Sequence, residues 1–332
     1  MAADGFILDI QGPYFSDVKN NDASILKNEM QQDNNRLRQW VMEDDIFVVD
    51  RGYRDSVQFL EDLHLNVKMP PLLGRNRRQF TTEEANRSRI ISKTRWIIEA
   101  RNGHLKNIFK IFKEVFSIHI CAQIKNMLKI GCALINAFHP TIHMHEATEE
   151  QARRMIEIAG RENDLMRRVI QNNLVHQRGG QWFDLENYIL DFPQLSLEYL
   201  HQKTFGTYQV KIAPAYVQDT TERAVENDFV IQGQLVEPGL FKAKIFSRFT
   251  QATKHILFIR YITENNCIDP VPESYCTCKV GAKTLGLCAH VASTIWYLGY
   301  ARHQHNVKYP SDNLVNIILD ARNHNEEPLI EN

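Results

Sequence analysis

The chain has 332 residues and a formal net charge of −1 at pH 7, with 43% hydrophobic and 24% charged residues. That is the composition of an ordinary globular protein with room for more than one core, and its global charge argues neither for nor against nucleic acid. The N-terminal Met-Ala-Ala-Asp-Gly lacks the basic region and apolar core of a signal peptide, and apolar runs such as 130–138 are too short to span a bilayer.

In chain order, Phe6, Leu8 and Ile10 alternate with Ile7 and Asp9, which predicts a strand between the turns Asp4-Gly5 and Gly12-Pro13. Asn20-Asn21-Asp22 predicts the cap of a helix that begins near Ala23 and carries Ile25, Leu26, Leu37, Trp40 and Val41, ending at Asp44-Asp45. Ile46-Phe47-Val48-Val49 is a continuous apolar run, the pattern of a strand buried on both faces. It stops at Asp50, beside Arg51-Gly52-Tyr53. A carboxylate at the end of such a strand suits a catalytic or metal-binding acid. It equally suits a turn residue that caps the next helix, expected from Ser56.

A short strand is expected over Asn66 to Met69, ended by Pro70-Pro71. Arg75, Arg77 and Arg78 form a basic loop, and Thr81 with Glu84 has the spacing of a capping box. The helix that follows carries Ile91, Ile98, Leu105, Phe109 and Phe112 as one apolar stripe, with Asn102-Gly103 as a point of bending. Glu99 lies next to that stripe, one turn from Arg95. Residues 74–113 hold eleven Lys or Arg against three Glu. A one-signed excess of this kind is either a solvated face or a phosphate-binding surface, with Arg75, Arg77, Arg78, Arg95 and Lys106 as its DNA-binding candidates. Gln123 to Phe138 predicts another helix, ended by His139-Pro140, and His139, His143 and His145 beside Glu146 read as structural loop residues. Glu149 to Leu174 looks helical, and the stretch around Asp191-Phe192-Pro193 and Thr204-Phe205-Gly206 is less regular.

Near the C-terminus, Leu240 to Phe249 and His255 to Ile262 predict two strands. They lead into Cys276-Thr277-Cys278 and, nine residues later, Cys288-Ala289-His290. Cys276, Cys278, Cys288 and His290 offer sulfur and imidazole donors in two close pairs, the ligand set of tetrahedral zinc. Lys279, Gly281 and Lys283 between the pairs suit a hairpin tip. Val291, Ile295 and Leu298 make an apolar helical face after Cys288, so the second pair is expected at a helix start, whose positive end favours a thiolate. The other three of the six cysteines, Cys121, Cys132 and Cys267, make no disulfide framework and suggest a reducing compartment.

This C-x-C-x9-C-x-H pattern resembles the SWIM zinc finger, which implies a strand-strand-helix fold, a structural zinc on those four residues, and DNA or protein as its partner. Three earlier phrases resemble a second family, the PIF/Harbinger-like DDE transposases. They are Asp4-Gly5-Phe6-Ile7 through Gly12-Pro13-Tyr14 and Asn21-Asp22; Val48-Val49-Asp50-Arg51-Gly52-Tyr53-Arg54-Asp55; and Arg95-Trp96-Ile97-Ile98-Glu99 through Lys106. That resemblance implies an RNase H-like α/β fold, a mixed sheet flanked by helices, with Asp50 as the second catalytic acid and Glu99 as the third. It also implies a nuclear protein that acts on double-stranded DNA with magnesium or manganese, which require oxygen ligands.

The family's first catalytic aspartate lies on a strand before the Asp-Gly that opens this chain, and neither Asp4, Asp9 nor Asp22 replaces it cleanly. Four segments follow from both resemblances: a DDE-type domain lacking its first strand over 1–140, a helical or irregular connection over 141–234, the finger over 235–305 and a tail over 306–332. The resulting expectation is a transposase-derived, zinc-binding, DNA-facing protein without catalytic activity. The rivals are an active metal-dependent endonuclease whose true start lies upstream, and an interaction module in which only the finger matters.

Overall fold

The computed structural model describes residues 1–32, 36–142, 148–177, 181–185, 191–223, 231–247, 253–264 and 267–310. The chain forms two compact units of mixed α/β structure, 1–74 with 86–157, and 75–85 with 158–332. Among the described residues, no helix is long and apolar enough to cross a membrane.

The first unit contains helices α1 (Asp22–Gln31) and α2 (Arg36–Gln39), strand β1 (Ile46–Val48), helix α3 (Val57–Asp62), strand β2 (Asn66–Lys68), most of α4 (Thr82–Ile108), α5 (Ile124–Phe138) and most of α6 (Glu149–Ala159). Asn21 caps α1 as its sequence predicts, its side chain accepting from the Ser24 amide at 3.0 Å. The single long helix expected from Ala23 to Val41 is two pieces, α1 and α2, on either side of residues outside the described set. β1 and β2 pair in parallel, Phe47 opposite Val67. Met30, Leu60 and Leu65 form a core that Phe47 and Val67 join. β1 is not buried on both faces: Ile46 is 65% exposed, because this two-stranded sheet packs its apolar side chains on one cluster only.

The strand expected over 6–10 is also revised. The segment is not part of a sheet. Instead the Asn136 side chain stands in for a neighbouring strand, its Oδ1 accepting from the Ile7 amide at 3.0 Å and its Nδ2 donating to the Ile7 carbonyl at 2.9 Å. Ile7 and Ile10 pack against Leu105, Cys132 and Ile135. Arg101, 2% exposed, fixes the same segment: Nε donates to the Gly5 carbonyl and Nη2 to the Pro140 carbonyl, each at 2.8 Å, and Nη1 lies 3.1 Å from His139 Nδ1. His139 is thus structural, as expected; His143 and His145 lie outside the described residues. α4 runs through Asn102-Gly103 without interruption.

In the second unit, α7 (Asp164–Gln171) precedes an antiparallel sheet in the order β3 (Trp182–Asp184), β4 (Ile231–Gln234), β5 (Leu240–Phe246), β6 (Lys254–Arg260), β7 (Glu273–Cys276). Helices α8 (Leu197–Thr204) and α9 (Tyr208–Arg223) lie between β3 and β4 in sequence, and α10 (Ala289–Gly299) follows β7. Side chains alternate along each strand. Phe241, Ala243, Ile245, Leu257, Ile259 and Cys276 face one core with α8, α9 and α10, while Leu240, Phe258 and Tyr275 face another with Leu165 and Val169 of α7. The helix expected over 149–174 is two helices, α6 and α7, because Asn163 caps a new start by accepting from the Met166 amide at 2.8 Å.

Candidate functional site

The Cys276–Cys278 pair is delivered by the end of β7 and the Cys288–His290 pair by the start of α10. Cys276 is the last residue of β7, paired with Leu257 of β6. Just beyond it, the Thr277 amide donates to the Ile256 carbonyl at 2.9 Å, and the Ile256 amide donates back to Thr277 Oγ1 at 3.0 Å. Cys278 therefore leaves the sheet on a fixed backbone. The chain then turns back tightly: the Cys276 amide donates to the Gly281 carbonyl at 3.1 Å and the Gly281 amide to the Cys278 carbonyl at 3.0 Å. A Cβ at Gly281 would overlap the Cys276 carbonyl, so this turn admits only glycine. Cys288 is the N-cap of α10, with Sγ 3.5 Å from the Val291 amide, and His290 is on its first turn. The helix start expected from the sequence is where the second pair sits.

All four side chains are buried, and their donor atoms lie within 4.8 Å of one another. Cys276 Sγ and His290 Nδ1 are 3.8 Å apart. With zinc–sulfur and zinc–nitrogen bonds of the usual length, a tetrahedron has a sulfur–nitrogen edge of about 3.6 Å, so the donor set fits a zinc ion. Burial pushes the Cys276 thiol well above its ordinary range, whereas the Cys276 and Cys278 thiols hold Cys288 well below its own. One thiolate at a helix N-terminus thus collects two S–H donors, which a cation can replace. The rings of Tyr216 and His255 pack on His290, and the Ser293 and Thr294 hydroxyls donate to its carbonyl. The cluster could hold a metal ion, and among the described residues it is the one such group of three or more His, Cys, Asp or Glu.

The acids of the first unit are arranged differently. Asp50 follows β1 and caps a 3-10 turn over Arg51–Ser56, Oδ1 accepting from the Gly52 amide at 2.7 Å. Its Oδ2 is 3.2 Å from Arg95 Nη2 of α4. Asp22, on the first turn of α1, points to the same place: a Cβ at Gly52 would stand 2.5 Å from Asp22 Oδ2 and 2.9 Å from Asp50 Oδ1. The two aspartates line a cavity of about 340 Å³ with Arg51, Gly52, Ser92 and Arg95. Burial, then the charges of Asp22 and Asp50, push the neighbouring Tyr53 phenol upward. Glu99 is exposed on α4, one turn beyond Arg95.

The basic candidates divide. Arg77 folds back onto Glu84, Nη1 to Oε1 at 2.8 Å and Nη2 to Oε2 at 2.5 Å, and Arg95 is held by Asp50. Arg75, Arg78 and Lys106 are exposed. The capping box forms as predicted, the Thr81 amide donating to Glu84 Oε2 at 2.8 Å and the Glu84 amide to Thr81 Oγ1 at 3.2 Å. Sequence reasoning missed Gln79, His255 and Arg101. Each acquires its role from a partner far along the chain, and nothing in the local pattern marks it.

No curated protein and no solved structure matches the chain. Residues 1–136, which carry Asp22, Asp50, Arg95 and Glu99, match the family described as DDE superfamily endonuclease, and it is to these metal-using nucleases that this part of the chain is similar.

Proposed function

We propose that this is a transposase-derived protein of PIF/Harbinger type that binds one structural zinc through Cys276, Cys278, Cys288 and His290, and faces double-stranded DNA without cleaving it. The Cys3His cluster would be a SWIM-type finger, through which protein partners could also be engaged, and the protein would work in the nucleus. The observation that carries the loss of cleavage is the state of Asp50. Both of its oxygens are engaged, one by the Gly52 amide and one by Arg95. A two-metal phosphodiester mechanism needs carboxylate oxygens free to ligate and bridge the ions. Magnesium or manganese would enter only in a chain where Asp50 is released from Arg95 and the Gly52 amide to bind it with Glu99.

The chain's own residues then do three things. The four buried donors fix the turn after β7 against the start of α10, where an ion would supply cross-linking and no chemistry. Exposed Arg75, Arg78 and Lys106 offer charge to phosphates. Arg95 keeps Asp50 neutralised as an ion pair. The test combines elemental analysis with incubation of the purified chain on a labelled duplex in magnesium or manganese. One zinc per chain and binding without nicking are expected. Nicking that disappears in both Asp50→Ala and Glu99→Ala would overturn the inactive reading, and protein purified without zinc would overturn the metal reading.

A further inference from the structure

The turn that carries Cys276 and Cys278 is gripped by a residue nearly two hundred positions upstream. Gln79 Nε2 donates to the Cys276 carbonyl at 2.6 Å and to the Cys278 carbonyl at 2.7 Å, while its Oε1 accepts from the Tyr275 hydroxyl at 2.9 Å. A glutamine amide has two N–H donors, and here both go to the backbone of metal-ligand candidates. Next to it, the Phe80 amide donates to the Lys279 carbonyl at 3.0 Å, and Lys279 Nζ lies 5.4 Å from the centre of the buried Phe80 ring. Residues 75–85 accordingly belong to the same compact unit as the cysteines.

This attachment has a consequence for charge. Immediately before Gln79 stand Arg75 and Arg78, both exposed, and on the turn it grips stands Lys279, also exposed. Arg77, between them, is turned away onto Glu84. Two cations of the upstream loop and one of the cysteine turn therefore stand on segments that four hydrogen bonds join.

We infer that Arg75, Arg78 and Lys279 form one composite surface for the phosphodiester backbone of duplex DNA, with Gln79 as the positioning residue that ties loop to turn. The inference rests on the DNA-facing reading above and adds where the contact is made and what holds it. Because the acceptors of Gln79 are the carbonyls of two ligand residues, metal loading at the cluster sets the geometry of this surface. Chelation loosens the turn beyond the end of β7, the hold of Gln79 on the Cys278 carbonyl weakens, and the arginine loop disengages.

The test uses the full chain, a fluorescent duplex of mixed sequence and a salt titration. Lys279→Ala is expected to lower the slope of log affinity against log salt by about one, as does removal of one phosphate contact. Gln79→Glu, which keeps the shape but presents an oxygen to two carbonyls, is expected to retain one zinc and lose roughly tenfold in affinity at low salt. Hydrogen exchange at the Phe80 amide is expected to be slow with zinc and fast after chelation. An unchanged salt slope in Lys279→Ala, or unchanged affinity in Gln79→Glu, would overturn the composite surface while leaving DNA binding itself intact. If Gln79→Glu also loses zinc, the Phe80 amide of the wild-type chain decides: protection that survives chelation overturns the coupling, and protection that vanishes supports it. No duplex binding by the wild-type chain at low salt would remove both this inference and the reading on which it rests.

Discussion

Arg95 Nη2 stands 3.2 Å from Asp50 Oδ2, a cation of the chain itself placed against a carboxylate of the segment that matches the nuclease family. Both partners are partly exposed, so the pair is worth about 1 kcal/mol after screening by water. Arg95→Gln should therefore raise manganese affinity about fivefold. Titration of manganese by electron paramagnetic resonance reads this directly, and adding Asp50→Asn should cancel the gain. No gain in Arg95→Gln would show that the Gly52 amide alone keeps Asp50 from ligating.

Glu84 closes the capping box of α4 and accepts from Arg77, and these bonds lower its carboxyl from 4.5 to about 2. A carboxyl depressed in the folded state contributes stability that is complete above its unfolded value and is lost as pH falls through its folded one. The window here runs from about 4.5 down to about 2. Glu84→Gln should cost about 1 kcal/mol at neutral pH, mostly through the cap since the ion pair is solvent-screened. The difference in Tm between variant and wild type should shrink across that window. A difference that stays constant on acidification would place the contribution elsewhere.

Removal of one ligand should be felt throughout the second unit, because Cys276, Cys278 and Cys288 belong to the same core as α8, α9 and α10. Cys278→Ser is expected to lose the zinc and to lower the Tm of that unit by several degrees, since metal binding is folding free energy in such modules. A chelator should reproduce the shift in the wild-type chain and leave Cys278→Ser unchanged. Equal chelator effects on both proteins would dissociate the metal from the fold.

Gly281→Ala tests the turn without touching a ligand. The added Cβ meets the Cys276 carbonyl, and that backbone has no freedom to move because Gln79 and the β6 strand hold its neighbours. The expected loss is roughly 1–3 kcal/mol, the range for steric overpacking at a buried site. Zinc competition against a metallochromic dye should show weakened binding. Wild-type affinity would mean that the turn has a second packing.

The three arginines of the loop should not be equivalent. Arg75→Ala with Arg78→Ala should reduce the salt slope of duplex binding by about two, whereas Arg77→Ala should leave it nearly unchanged and act on stability instead. Three equal effects on the slope would mean that Arg77 leaves Glu84 when DNA arrives.

Legibility from sequence followed the range of the forces involved. Caps depend on residues three apart, and Asn21, Asn163 and the Thr81–Glu84 box obey local chemistry, although the charged helical pattern running on both sides of Asn163 hides its cap. The convergence of Cys276, Cys278, Cys288 and His290 was readable because two short spacings bring four donors together whatever surrounds them. Phe6 to Ile10 and Ile46 to Val49 failed in part for the opposite reason. An apolar run states that a strand is wanted but not whether a partner exists, and here Asn136 replaces the partner of Ile7 while Ile46 has no cover. For Asp50 the sequence offered two roles, acid or cap, and the Gly52 amide fills the second. Gln79 was invisible, since a lone glutamine beside arginines announces nothing.

The hydrogen bond from Gln79 to Cys276 spans 197 residues of chain. During synthesis the arginine loop emerges first and must wait, unattached, until about three-fifths of the polypeptide has followed. The entropic cost of closing so long a loop grows only with the logarithm of its length, so it burdens stability little, but contacts of this sequence separation form late and slowly. The cysteine turn is therefore made late in the second unit, and the unit's earliest piece depends on it. Any product that stops short of β7 would leave Gln79 and Phe80 without their partners, however well the strands before it had folded.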